Sequence, residues 1–281
     1  MDPIVSRQCW KTLEPVHAFI YFAPEAQEEY AALGYDVIGN QAAGYFPARA
    51  AAMGAVTAGV VQAAFFNFSA IAVVFGMDRA WEIATPVKVL AARYRAADRA
   101  LRRLCGDLLD SPDVLEATTL ARTAAGGCSP EGRPLYAANA SLEWSEVPHL
   151  ALFHAVTLLR EFRGDGHIAA LVVEGVTGIE AAIMHVAQGD AWTREPLRKT
   201  RGYTSEEWDA AARGLRERGW LDEDDAFTPL GAEVRQRIED TTDRLALPAW
   251  EAIGEEGASR LRGLVRPLAT AVIDGGGLRV R

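Results

Sequence analysis

Arg49 lies in the run Ala48-Arg49-Ala50-Ala51-Ala52, a lone cation among very small apolar side chains. A guanidinium on such a face is expected to be partly buried, and a buried cation needs a partner. Asn67, inside Phe65-Phe66-Asn67-Phe68, raises the same demand for an amide. Together with Tyr45, Phe66, Trp81 and Arg93 these residues make a first candidate site. Arg49 and Asn67 would hold an anionic or carbonyl-bearing ligand, with Tyr45 and Trp81 as walls and Phe66 and Arg93 as further ligand-binding candidates. The plainer use of Arg49 is to pair with a glutamate or to bond backbone carbonyls between helices.

A second group is His154, Arg163, Asp165 and His167. Imidazole exchanges protons near neutrality, so His154 and His167 are candidate acid–base residues. Asp165 could orient an imidazole, and Arg163 could bind an anion. Each has a structural alternative. Asp165, after an expected Arg163-Gly-Asp-Gly turn, could instead cap the helix that begins at His167. A histidine on an apolar helix such as His154 is often a core residue with its hydrogen bonds satisfied. His149 is five residues from His154, a poor spacing for one helix face.

Other chemistries lack their residues. The sequence has no HExxH and no CxxC, so no metal site is expected. It has no GxSxG nucleophile elbow. Gly126-Gly127 leads into no GK[ST], and no GxGxxG occurs, so no nucleotide cofactor is expected. Arg93, Arg95, Arg99, Arg102 and Arg103 could meet a phosphate. With Asp98 and Asp107 interspersed, they read better as a solvated face carrying i,i+4 pairs.

The elements that must position these residues are mainly helical. Helices are expected from residue 1 to about 22, from Pro24 to Gly34, from Tyr45 to Met53, from Gly54 to Phe66 and from Asp78 to Thr85. The segment 68–75 reads as a strand or extended link. Further helices are expected over Pro86–Leu104, Ser111–Ala125, Pro148–Phe162, His167–Glu174 and Thr177–Ala187. The tail contributes two more, Pro229–Ala246 and Glu255–Val272. Residues 126–145, rich in Gly, Pro and Asn, read as a linker between an N-terminal half, 1–125, and a C-terminal half, 146–281.

The stretch from Tyr203 to Thr242 has the most ordered pattern. Thr204 and Glu207 fit a capping box. Trp208, Ala211, Ala212 and Leu215 recur at helical spacing, and Gly219 stops the helix. Trp220-Leu221 and Ala226-Phe227 flank an acidic turn as a small hairpin, and Thr228 caps a long helix. This order resembles the MarR-type winged-helix proteins: recognition helix, wing, dimerisation helix. More of the chain, including GYFPARAAAMG, FFNF, Trp81, Pro86, Arg93 and RGDGHIAAL, resembles an actinobacterial-type, helix-turn-helix annotated family without one settled activity. That resemblance implies a fold rather than a reaction.

A weak internal repeat pairs PVHAFIYF near His17 with VPHLALFH near His149. If it is a duplication, the first half is a degenerate winged helix, and one chain forms a MarR-like pseudo-dimer. The resemblance then implies a small-molecule cleft between helical core and winged lobes.

Charge separates the remaining readings. The 281 residues carry a net charge of −9, and the would-be wing is Asp222-Glu223-Asp224-Asp225. A surface that grips DNA needs cations, so DNA is a disfavoured partner, though Arg194, Arg198, Lys199, Arg201, Arg213, Arg216 and Arg218 keep it open. The leading expectation is a small-molecule-binding protein, a cofactor-independent biosynthetic enzyme using acid–base chemistry between the halves. The alternatives are a ligand-responsive MarR-like regulator and a non-catalytic ligand-binding scaffold. Three widely spaced cysteines and the absence of a signal-like N-terminus point to the cytoplasm. The apolar run 55–74 is broken by Thr57, Gln62, Asn67 and Ser69, so it reads as buried helix rather than membrane span. A monomeric pseudo-dimer and a homodimer both fit.

Overall fold

A computed structural model describes residues 1–39, 41–189 and 192–278. The N-terminal half contains α1 (Ile4–Ala18), α2 (Pro24–Ala32), α3 (Gln41–Ala50), α4 (Ala58–Ala64), α5 (Ala70–Met77), α6 (Ala80–Ile83), α7 (Pro86–Cys105) and α8 (Pro112–Gly126). Then follow α9 (Pro134–Ala140), α10 (Pro148–Val173), α11 (Gly178–Ala187), α12 (Arg194–Arg201), α13 (Ser205–Glu217), α14 (Pro229–Glu251) and α15 (Gly254–Asp274). The fold is mainly α. Among the described residues the only β pairing is the isolated bridge Leu221–Phe227, so the wing is one bridge and not a full hairpin.

Local chemistry sets many of the starts. Pro occupies the first turn of α2, α7, α8, α9, α10 and α14, where its missing N–H is not needed. Thr177–Glu180 and Thr204–Glu207 form complete capping boxes on α11 and α13. Gly219, at φ +69°, takes the left-handed conformation that ends α13 before the wing.

Two cores result. The larger joins α1, α3, α7, α8, α10 and α15, and includes Phe19, Phe46, Phe65, Leu101, Phe153 and Leu261. The smaller fills the winged lobe around Ile183, Leu197, Trp208, Leu215, Leu221 and Ile238. In the larger core α1 packs on α15 and α10 packs on α8, so each half's first long helix is covered by the other half's last.

Several expectations are corrected. Residues 70–75 of the expected extended segment 68–75 belong to α5, capped by Ser69, whose hydroxyl accepts from the Ala72 N–H. The expected helix from Gly54 begins only at Ala58. Residues 126–145 are not bare loop: α9 lies there, with Leu135 and Tyr136 buried. Arg163-Gly-Asp-Gly is not a turn; α10 runs through it to Val173. The reason is tertiary. Arg133 crosses α10 at Gly166, donating to the Phe162 and Leu245 carbonyls, and a Cβ on Gly166 would collide with its guanidinium.

No single described helix is long and apolar enough to cross a membrane. The α10–α11 pair passes on length and composition together, but it is bent by 101°, and most of α10 is buried in the core.

Candidate functional site

The first half of α10 is apolar, yet Arg160 and Glu161 interrupt it. Glu161 is buried, and Arg49 of α3 reaches it with two bonds, Nε at 3.2 Å and Nη2 at 2.9 Å. Arg160 donates to the same carboxylate at 2.9 Å and lies 3.7 Å from Glu14 of α1. Burial alone would raise the Glu161 carboxyl, but Arg160 and Arg49 outweigh it and hold it well below the usual carboxylate range. Glu161 in turn keeps Arg49 firmly cationic against the cost of its burial. Arg49 also donates to the Tyr45 hydroxyl at 3.2 Å and stands 4.4 Å from the Phe65 ring centroid.

His17 and Tyr21 complete the wall. His17 Nδ1 lies 3.0 Å from Thr157 Oγ1, and Nε2 lies 2.7 Å from the Tyr21 hydroxyl. Tyr21 and Tyr45 meet with ring centroids 5.2 Å apart. Arg93 borders the group, 5.9 Å from the Tyr21 centroid, and donates to the Ala48 carbonyl.

The winged lobe adds Arg201, from the last turn of α12. Its guanidinium lies 4.5 Å from the Phe68 ring centroid, and its Nε has no hydrogen-bond partner. Burial lowers its pKa; Tyr45 opposes that shift, whereas Arg49 and Arg160 add to it. The cluster thus sets Arg49, Arg160 and Arg201 against Glu14 and Glu161. Arg160 and Glu14 keep 22% and 25% of their side-chain surface accessible. Tyr21, Tyr45, Arg49 and Arg201 are likewise half-buried, so the cluster is not sealed in the packed interior. A narrow crevice between α1, α10 and α14, lined by Trp10, Glu14, Arg160, Arg163 and Trp250, reaches the same pair.

The residues singled out from sequence divide. Tyr45 and Arg49 converge, with Arg93 at the margin. Phe66 and Asn67 form a turn against the winged lobe, where the N-terminus of α11 meets their backbone at Gly178. Trp81 ties loop to helix by donating to the Val56 carbonyl at 2.8 Å.

The second group forms no catalytic set. His154 is buried, bonded on both nitrogens to Tyr94 and the Asn139 carbonyl, and stacked 4.5 Å from Trp144. Asp165 caps α9 rather than its own helix, accepting from the Leu135 and Tyr136 N–H groups at 3.0 Å each. His167 bonds Thr242, 2.9 Å away on α14. Arg163 is tied to Asp243 at 2.7 Å and Glu239 at 3.3 Å.

Sequence reasoning missed His17, Tyr21, Arg160, Glu161 and Arg201 as members of the site. The available signal was the charged pair Arg160-Glu161 between Leu159 and Phe162.

The outer end of the winged lobe is acidic in structure as in sequence. Between Tyr203 and Thr228 eight carboxylates face three guanidinium groups. Arg194 pairs with Asp209, Arg198 with Glu195, Arg216 with Asp225 and Arg218 with Glu180. Among the described residues no group of acids, histidines and cysteines has the spacing to hold a metal. The three cysteines are unpaired.

The sequence profile of a helix-turn-helix family matches residues 6–279. No curated protein and no solved structure gives a match.

Proposed function

The chain belongs to this helix-turn-helix family, and on that footing we propose that it binds an anionic small molecule with an apolar body. The ligand would lie where the MarR-type winged lobe meets the helical body. Arg201 carries the reading. From the lobe it brings a half-buried cation toward Arg49 and Arg160, beside the Phe68 ring, with Nη1 bonded only to the Thr200 hydroxyl and Nε bonded to nothing among the described residues. A buried cation without a carboxylate is costly, and an anionic ligand relieves that cost.

Titration with phenylacetate and 3-phenylpropanoate tests this. Both should bind the wild type, and Arg201→Met should weaken them about tenfold, the scale of one lost charge-assisted contact. Equal binding by the variant would sink the proposal.

Two uses of such a site remain distinct. Family membership favours a ligand-responsive regulator, because a ligand touching Arg201 would bias the position of the lobe. The His17–Tyr21 pair favours the biosynthetic enzyme, since it supplies an oriented acid–base couple. The packing of α1 on α15 and α10 on α8 is what an intrachain pseudo-dimer requires. A salt-dependent mobility shift on DNA would select the regulator; no shift even at low salt would remove it.

A further inference from the structure

We infer that the ligand of this cleft carries a hydroxyl beside its anionic group, and that Tyr21 recognises that hydroxyl. This rests on the anion-binding reading and narrows its ligand class.

The hydrogen positions lead there. Thr157 Oγ1 lies 2.8 Å from the Phe153 carbonyl, one turn back in α10. A carbonyl only accepts, so the single hydroxyl hydrogen of Thr157 goes to it. The Thr157 oxygen then accepts from His17 Nδ1, 3.0 Å away, and Nδ1 carries the imidazole proton. His17 is wholly buried, and burial together with Arg160 and Arg93 holds it neutral. A neutral ring has one N–H, so Nε2 presents a lone pair. The Tyr21 hydroxyl, 2.7 Å away, therefore donates to Nε2.

Tyr21 is left with lone pairs and no hydrogen to offer. Among the described residues no second bond reaches its oxygen. Tyr45 is the reverse: its oxygen already accepts from Arg49, so its hydrogen can be given away. The two rings are neighbours. Side by side they form one acceptor and one donor, next to three guanidinium groups. A hydroxyl both gives and takes a hydrogen bond, so it fits this pair, while the carboxylate fits the cations. A site built around a polar group disfavours the analogue lacking it, because its own buried groups then stay unpaired.

Two matched pairs test the inference: mandelate against phenylacetate, and 3-phenyllactate against 3-phenylpropanoate. The hydroxylated member of at least one pair should bind about tenfold more tightly. Tyr21→Phe should erase that preference, so that the two members of the pair bind within about twofold of each other. Nitrogen-15 NMR of the wild-type imidazoles should show His17 protonated at Nδ1 and bare at Nε2, independently of any variant. The inference alone is overturned if the deoxy acids bind through Arg201 but the hydroxyl brings no gain. It is equally overturned if the gain survives Tyr21→Phe, or if Nε2 carries the proton. If no acid binds, or binding ignores Arg201, the anion-binding reading falls and takes this inference with it.

Discussion

Arg201 places its guanidinium 4.5 Å from the centre of the Phe68 ring, and the Ser69 N–H bonds the Arg201 carbonyl at 2.8 Å. Both contacts cross from the winged lobe to the helical body, so one residue anchors the lobe and delivers its charge. The cation–π contact contributes about 0.5–2 kcal/mol, less than the several kcal/mol that desolvating a cation costs. Arg201→Met keeps the apolar stem and removes the charge. The variant should be as stable as wild type, or more stable by roughly 1 kcal/mol. Urea midpoints compared at equal slope would measure this.

Glu161 is the opposite case, since one buried carboxylate holds two arginines. Glu161→Gln leaves both cations under-compensated and should cost roughly 3–5 kcal/mol. Arg49→Met introduced into that variant should recover part of the loss. A double-mutant cycle with strictly additive costs would show that the pair is not coupled.

Asp165 keeps one carboxyl oxygen buried without a partner, and burial raises its pKa to about 6 from the ordinary 3.8. The unfolded chain therefore releases this proton first. Its contribution to stability is fully present below about pH 4 and is lost as pH rises to about 6, with an upper limit of roughly 3 kcal/mol. Asp165→Asn should be more stable than wild type at pH 7.5, with the advantage shrinking as pH falls toward 4. Thermal midpoints at both pH values would show it.

His167 titrates with the other sign. The Thr242 hydroxyl donates to the Ile238 carbonyl, so His167 Nδ1–H donates to Thr242. Burial lowers the ring to about 4 from 6.5, while Glu239 opposes and Arg235, Arg163 and His185 assist. The unfolded state takes up the proton first, so stability is full above about pH 6.5 and drains away toward pH 4. His167→Asn keeps a donor for Thr242 and should flatten that acid limb. An unchanged pH profile would place the titration elsewhere.

Gly178 opens α11 where the winged lobe meets the body. A Cβ there would strike the Phe66 carbonyl oxygen, a backbone atom that cannot swing aside. Gly178→Ala should destabilise by about 1–3 kcal/mol through overpacking. The local unfolding free energy of α11–α13, read by hydrogen exchange, should fall more than that of α10.

The winged lobe was legible because its signals are local. Thr204 and Glu207 cap α13 within three residues, and Gly219 ends it. Arg49 announced that it needed a partner, since alanines surround it, but Glu161 is 112 residues away and no spacing rule links them. The glycines around Asp165 misled for a related reason. Paired glycines usually mark a turn; here Gly166 makes room inside a helix for Arg133. Segment 68–75 looked extended because β-branched and aromatic side chains make up most of it. A serine cap and the docking of α5 on α3 override that preference.

The pairing of α1 with α15 also bears on how the molecule is made. The opening helix emerges from the ribosome some 240 residues before the helix that will cover it. Until then Cys9, Leu13 and Val16 have no permanent neighbour from the far end of the chain. Folding of the larger core therefore completes only after α15 has been made, and a chain cut before α15 has an open seam rather than a smaller finished core.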